Sequence, residues 1–413
     1  MTNLVIDRLG AQADGIASTP QGSVYVPFAL PGERVSVAVE KNKGTLISVL
    51  EASPDRIEPA CRHFTECGGC AIQHLAQPPY QVWKREKLVQ ALGQNGIDFP
   101  VDDLVPAEPR SRRRAVFSAR RTEKGAVLGY NRAASHTIID IEECPVVLPQ
   151  IEAALPKLRA LAPLVAGNAR EAFHMTVTHT ASGLEVAVDG AGPLPESSRR
   201  PATDFALREN LARLAVGGEI LIEPRKPFVP FGKAAVPVPP GGFLQAVEAA
   251  EEAMANLALA HLKRAKKIAD LFAGAGAFSL RLAAIAEVHA VEGDGPALAA
   301  LDRGFRSTPG LRRVTMEKRD LFRRPLTFKE LNAYDGVLLD PPRAGAEDQS
   351  KQLARSDVPY VVAVSCYPAT LARDLRILLD GGYALKSVTP VDQFLWSPHV
   401  EAVALLEKPR RRR

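Results

Sequence analysis

From about residue 243 onward, short apolar runs alternate with helical stretches, and this alternation limits the possible folds more than any other feature of the chain. A helical stretch at 247–262 leads into an apolar run at 267–272. Further strand-like runs follow at 288–291, 335–339 and 360–364, separated by helical stretches such as 368–379. Serial strand–helix units close into a mostly parallel, doubly wound sheet with helices on both faces. The last two runs, 383–389 and 400–406, predict an antiparallel edge hairpin. Sheets of this kind take their ligands outside the carboxyl ends of the strands, so residues that directly follow strands are the first candidates for chemistry.

The first such turn reads Asp270-Leu-Phe-Ala-Gly-Ala-Gly-Ala277. Gly274 and Gly276 permit a tight turn and close approach of a ligand to the backbone. Glu292 ends the next strand, where a carboxylate can accept hydrogen bonds from both hydroxyls of a ribose. The third glycine of a dinucleotide fingerprint is replaced by Ser279, and an acid opens the turn. Both features favour S-adenosylmethionine, which has no pyrophosphate to cradle, over NAD. Asp340-Pro-Pro-Arg343 ends a later strand with a stiffened loop, holding an acid and an arginine on the same edge. Ser365-Cys366-Tyr-Pro368 ends the next strand. A lone cysteine after an apolar run is usually a small core residue, but this one meets the start of a helix, a position that favours a thiolate. His399-Val-Glu401 opens the last strand and can bring a carboxylate to the same edge. Gln245, just before the first helix, is placed to contact a cofactor.

The remaining cysteines form a second group. Cys61, Cys67 and Cys70 fall within ten residues, and Cys144, followed by Pro145, is the remote fourth. Thiolates at such spacing hold zinc or an iron–sulfur cluster. Three clustered ligands, a distant fourth and the following proline favour the cluster, and Gly68-Gly69 lets the backbone fold closely around it. Five cysteines in all, an odd number, argue against a disulfide framework. The first 55 residues read as short strands between turns, which fits a small barrel of the OB type, a fold that often binds single-stranded nucleic acid. The net charge of +5 is concentrated: six arginines (Arg110, Arg112, Arg113, Arg114, Arg120 and Arg121) crowd one stretch, and four more, a tail read as solvated, occupy 410–413. The internal cluster points to a phosphate backbone as partner. With no apolar run near the length of a membrane span and no basic and apolar leader at the N-terminus, the expectation is a soluble cytoplasmic protein. The length suggests two or three units, and the strand pattern and proline-rich breaks divide the chain at 1–55, 56–235 and 236–413.

Taken together, these residues resemble the RNA uracil-5-methyltransferase family, in particular its iron–sulfur branch acting on 23S ribosomal RNA, over essentially the whole chain. The segment at 365–374, Ser-Cys-Tyr-Pro-Ala-Thr-Leu-Ala-Arg-Asp, is similar to that family's nucleophile segment, and 399–401 to its general-base segment. The opening segment, with Ala13-Asp-Gly-Ile-Ala17, looks like its RNA-binding TRAM domain. Ala277 and Val247 stand where members often carry asparagine.

The resemblance implies an α/β protein: a Rossmann-like class I methyltransferase domain, an N-terminal OB-type barrel and a central α+β unit holding a [4Fe-4S] cluster on Cys61, Cys67, Cys70 and Cys144. It implies Cys366 as nucleophile, Glu401 as base, Gln245, Phe272, Glu292 and Asp340 as S-adenosylmethionine contacts, Arg343 as a stabiliser of charge on the uracil oxygen, and flipping of the target base. RNA is the implied partner, with no membrane and no obligate protein partner. Two alternatives stay open: a transfer-RNA uridine methyltransferase, and a catalytically inactive RNA-binding iron–sulfur protein.

Overall fold

The computed structural model describes residues 1–167, 169 and 171–409; the arginine tail at 410–413 lies outside the described residues. The alternating C-terminal region forms a seven-stranded sheet from β1 (Lys267–Leu271), β2 (Glu287–Glu292), β3 (Val314–Lys318), β4 (Gly336–Leu339), β5 (Tyr360–Ser365), β6 (Ala384–Val391) and β7 (Glu401–Glu407). The strand order is β3-β2-β1-β4-β5-β7-β6. Strands β1 to β5 are parallel, while β7 runs antiparallel between β5 and β6. The continuous apolar runs of β1, β4 and β5 are buried on both faces, as parallel strands covered by helices must be. The order reverses direction at β1 and β4, and at such a point the loops after neighbouring strands diverge and leave a crevice. The predicted hairpin is present, with β6 outermost. Strand β3, which the periodicity does not reveal, is an edge strand with one buried residue among its five, so it carries almost no apolar signal.

Helix α1 (Gln77–Gln94) lies within the stretch read as the central unit, but its Leu88, Ala91 and Leu92 join the core of the C-terminal sheet. Helix α2 (Glu248–Leu262) covers the opposite face, with Met254, Ala258 and Leu262 buried. Helix α3 (Pro368–Asp380), which begins with proline at its first position, follows β5 and packs beside α1. Among the described residues no helix is long and apolar enough to cross a membrane.

Two further large sheets precede this one. Residues 2–51 form a six-stranded sheet around Ile6, Val24, Val26, Val35 and Val37, its pairing running from Thr2–Val5 at one edge to Arg8–Leu9 at the other. The central sheet has seven strands between 114 and 222, with the helices Leu155–Val165 and Glu196–Arg208 on it. A small shared core joins the parts: Ala13 and Leu30 from loops of the first sheet, Ile72 and Leu75 after the clustered cysteines, Tyr80 and Trp83 of α1, and Leu395 and Trp396 before β7.

Candidate active site

The register between β5 and β7 pairs Ser365 with Ala402, so Cys366 and Glu401 come side by side at the carboxyl edge of the parallel strands. They open into one cavity of about 800 Å³ that is also lined by Gln245, Phe272, Gly274, Glu292 and Asp340. All six residues singled out for the reaction and for the cofactor therefore share one cavity, although they come from six separate stretches of chain.

The cofactor-side turn is built as its sequence requires. Phe272 follows β1 with φ +62°, a left-handed conformation that costs a non-glycine residue about 1–3 kcal/mol and persists only where the surroundings impose it. Gly276 has φ +94°, and a Cβ there would stand 2.7 Å from Leu301 Cγ. The Glu292 carboxylate accepts the Gly274 N–H at 3.0 Å, and those of Gly293 and Asp294 at 2.6 and 2.8 Å. It thus fixes the glycine turn with three of its roughly four acceptor sites and keeps one for a ligand. Ser279, which replaces the third glycine, donates its hydroxyl to Asp270 at 2.5 Å. Asp270 is fully buried, and burial pushes its carboxyl up to about 7, opposed by that hydrogen bond. Phe322, whose ring centre lies 5.4 Å from that of Phe272, and Asp320 also line the cavity; neither was evident in the sequence, because they follow the weak strand β3.

On the reactive side, a row of amides connects two carboxylates. Gln245 donates to Asp340 at 3.1 Å; Gln393 donates to Gln245 at 2.7 Å and to Glu401 at 2.5 Å. The Gln393 carbonyl oxygen in turn accepts the Ala246 N–H at 3.0 Å, which sets the direction of the whole row. Gln393 was not singled out from the sequence; its only signal is an amide in the polar Asp392-Gln393 step of an otherwise apolar stretch. Burial raises Glu401 to about 7, with the Gln393 bond opposing. Asp340 is pushed well above the usual carboxylate range by burial and by Glu401.

The helix start does not give Cys366 a depressed pKa. Burial first, then the charges of Glu401 and Asp340, push the thiol up to about 11, against a downward pull from Arg343. The position at the head of α3 is as expected, but burial, helped by the two carboxylates beside the sulfur, outweighs the helix end. The Arg343 guanidinium lies over the Tyr367 ring at 5.2 Å, at the rim next to Cys366.

The arginine cluster is only partly a surface patch. Arg113 is buried, donating to Glu251 of α2 at 2.7 Å and to the Gln245 carbonyl at 3.2 Å. Arg114 donates to the carbonyls of Gly241 and Gly242. These two hold the segment that presents Gln245, a role that clustering in sequence cannot distinguish from phosphate binding. Arg120 and Arg121 are exposed on the central sheet, and Arg112 borders the active cavity.

Cys61, Cys67, Cys70 and Cys144 line a second cavity of about 240 Å³, which Arg112 also borders. Burial pushes Cys61 up to about 11 and Cys70 up to about 12, and the other thiols of the set push in the same direction. Among the described residues no three His, Cys, Asp or Glu side chains converge closely enough to hold one metal ion.

A comparison with known proteins adds to this geometry. An RNA methyltransferase of Mesorhizobium japonicum is 64% identical over 408 residues, covering 99% of this chain and 98% of the relative. The 23S rRNA (uracil(1939)-C(5))-methyltransferase RlmD of Halomonas elongata is 33% identical, covering 98% of this chain and 89% of that one. The tRNA (Uracil-5-)-methyltransferase family matches residues 307–409, which include both Cys366 and Glu401. The chain belongs to the RNA uracil-5-methyltransferase family. This methyltransferase also shares its fold, with a TM-score of 0.77 over 98% of the chain at 23% identity, with the Pyrococcus abyssi tRNA (uracil-54, C5)-methyltransferase crystallised with S-adenosyl-L-homocysteine. It is thus an RNA uracil-5-methyltransferase.

Proposed function

We propose that this enzyme methylates carbon 5 of a uridine in 23S rRNA through a covalent adduct between Cys366 and the uracil ring. The pairing that sets Cys366 beside Glu401 in one cavity carries the reading. Carbon 5 of uracil is a weak nucleophile. When the Cys366 thiolate, its proton first lost to solvent, bonds to carbon 6, the ring electrons move toward carbon 5 and the carbonyl oxygen at carbon 4. S-adenosylmethionine, when bound, supplies an electrophilic methyl group to that carbon. Gln245, Phe272, Glu292 and Asp340 line the place where it would sit, and the Glu292 carboxylate, with one acceptor site left by its three backbone donors, suits a ribose hydroxyl. Glu401 then takes the proton from carbon 5, the sulfur–carbon bond breaks, and the double bond returns. Arg343, at the rim, is positioned to stabilise the charge on the uracil oxygen.

For the RNA, RlmD supports 23S rRNA; the transfer-RNA enzyme from Pyrococcus abyssi has the same fold at lower identity, so a transfer RNA is the second reading. The six-stranded sheet at 2–51 fits an RNA-binding TRAM barrel, and a ribosomal RNA substrate fits the cytoplasmic setting expected from the sequence. Cys61, Cys67, Cys70 and Cys144 suit a [4Fe-4S] cluster. A zinc ion draws four ligands to one point at about 2.3 Å, whereas a cluster takes its thiolates at separate corners, as thiols spread around a cavity offer. Bound there, a cluster would cross-link two distant stretches of chain.

The test is a denaturing gel of enzyme, RNA and methyl-labelled cofactor. Cys366→Ala should form neither product nor adduct. Glu401→Gln should accumulate a labelled, denaturation-resistant complex, because attack and transfer proceed while elimination stalls. An adduct with the alanine variant, or full turnover by the glutamine variant, would contradict these roles. Mapping the methylated nucleotide lost in a deletion strain identifies the RNA.

A further inference from the structure

The loop that delivers Glu401 to the cavity is tied at both ends to one side chain from a different part of the chain. Lys84, in the middle of α1, is completely buried. Its ammonium donates to the Asp392 carboxylate at 3.1 Å, to the Phe394 carbonyl at 3.1 Å, and to the His399 carbonyl. β6 ends at Val391 and β7 begins at Glu401, so these three acceptors bracket the whole connection between the two strands. The other Asp392 oxygen accepts the Tyr80 hydroxyl at 2.5 Å, and Tyr80, one helical turn before Lys84, accepts the Trp396 N–H at 3.0 Å. Trp396 itself has φ +58°, so the loop does not take this shape by intrinsic preference. Between the anchors sits Gln393, the residue that donates to Glu401.

An ammonium has three N–H groups, and here three acceptors use them. An apolar side chain would fill the same volume but leave the His399 carbonyl without its donor and the buried Asp392 carboxylate without its counter-charge, while Tyr80 and the Phe394 N–H still donate to Asp392 and Ser397 to the Phe394 carbonyl. We propose that Lys84 is a positioning residue for Glu401: by closing the 392–399 loop on itself it fixes Gln393, and through Gln393 the direction of the Glu401 carboxylate. Lys84 does not line the active cavity. Its loss should slow proton removal from carbon 5 and spare cysteine attack and cofactor binding. The inference rests on the reading of Glu401 as the base.

The experiment measures the ratio of labelled, denaturation-resistant adduct to released methylated RNA in the wild type, Lys84→Met and Glu401→Gln. Lys84→Met is expected to shift that ratio toward adduct by about tenfold or more, with KM for S-adenosylmethionine within about twofold of wild type. A fold defect alone would lower adduct and product together and leave the ratio unchanged. Lys84→Met strands Asp392, so Lys84→Met/Asp392→Leu, an apolar pair of similar volume, is the second variant. It removes the uncompensated buried charge but returns no donor to the His399 carbonyl, and the same shift is expected. A wild-type ratio in the folded double variant, with adduct accumulating in Glu401→Gln, would overturn the proposal. No adduct in Glu401→Gln would instead remove the base reading, and the role of Lys84 with it.

Discussion

Gln393 donates its side-chain amide to the Glu401 carboxylate at 2.5 Å, and the same nitrogen donates to Gln245 at 2.7 Å. One nitrogen with two hydrogens thus connects the residue proposed as base to a residue on the cofactor side, and the Ala246 N–H prevents the amide from turning over. The bond favours the ionised form of Glu401, against a burial that raises it to about 7. Replacing Gln393 by alanine removes a hydrogen bond to a charged group, worth about 1.5–3 kcal/mol. The expected result is a drop in kcat of about ten- to a hundredfold with a much smaller change in KM for the cofactor. The pH dependence should move with it: without the amide, Glu401 is harder to ionise, so the rise in kcat with pH shifts to higher pH. Steady-state rates between pH 6 and 9 check both; an unmoved profile would leave Gln393 as packing only.

Cys366 gives a second pH-dependent test. Its thiol stands at about 11 in the ligand-free cavity, raised by burial, Glu401 and Asp340. The thiolate is the reactive form, so alkylation of Cys366 by iodoacetamide, followed by peptide mass spectrometry, should be slow at neutral pH and rise about tenfold per pH unit up to that value. Asp340→Asn removes one of the charges that raise the thiol and should speed alkylation at a fixed alkaline pH, where the raised Asp340 carboxyl would be ionised. A rate that levels off below pH 8 would show a thiol already ionised.

How far the sequence foretells this site depends on whether a residue carries its signal locally. The carboxyl-edge positions of Phe272, Glu292, Asp340 and Cys366 follow from strand periodicity, because a strand end is a local property. Their gathering into one cavity follows from the doubly wound topology. Gln393 and Lys84 are different. Each matters through partners far along the chain, Lys84 meeting His399 across 315 positions, and neither has a pattern of its own. The arginine cluster shows the opposite error, a strong local signal with two meanings: Arg113 and Arg114 spend their charge inside the protein, on Glu251 and on glycine carbonyls. The thiolate expectation for Cys366 fails for the same reason, since the burial that raises it, and the carboxylates that add to it, come from other parts of the chain.

Glu292 has two tasks that a pair of substitutions can separate. It holds the glycine turn through the Gly274 N–H, and it is the proposed acceptor for a ribose hydroxyl. Glu292→Gln keeps one acceptor oxygen for the turn but loses the charge. Glu292→Ala loses both. S-adenosylmethionine affinity by calorimetry should fall about tenfold or more in the glutamine variant and further in the alanine variant, given about 1.5–3 kcal/mol for hydrogen bonds to a charged acceptor. RNA affinity should change little in either. Wild-type cofactor affinity in the alanine variant would remove Glu292 from the site.

The four-cysteine cavity bears on the same loop from its other side. Directly after Cys70, the N–H groups of Ala71 and Ile72 donate to the Trp396 carbonyl at 2.8 and 3.2 Å, within the segment that leads to Glu401. A cluster binding Cys61, Cys67, Cys70 and Cys144 would hold that stretch of backbone in place; without it, four half-buried thiols around a cavity supply little cohesion. Protein purified without oxygen should therefore contain iron and acid-labile sulfide in equal amounts, with the visible absorbance of a cluster. Cys144→Ser should lose both, because it removes the ligand from the remote stretch. Removing the iron with a chelator should lower the thermal midpoint and expose the backbone at 70–72 and 392–400 to hydrogen exchange. This follows because metal binding free energy is also folding free energy. Stoichiometric zinc with no sulfide would replace the cluster by a zinc site, and unchanged exchange at 392–400 after iron removal would show that the loop stands without it.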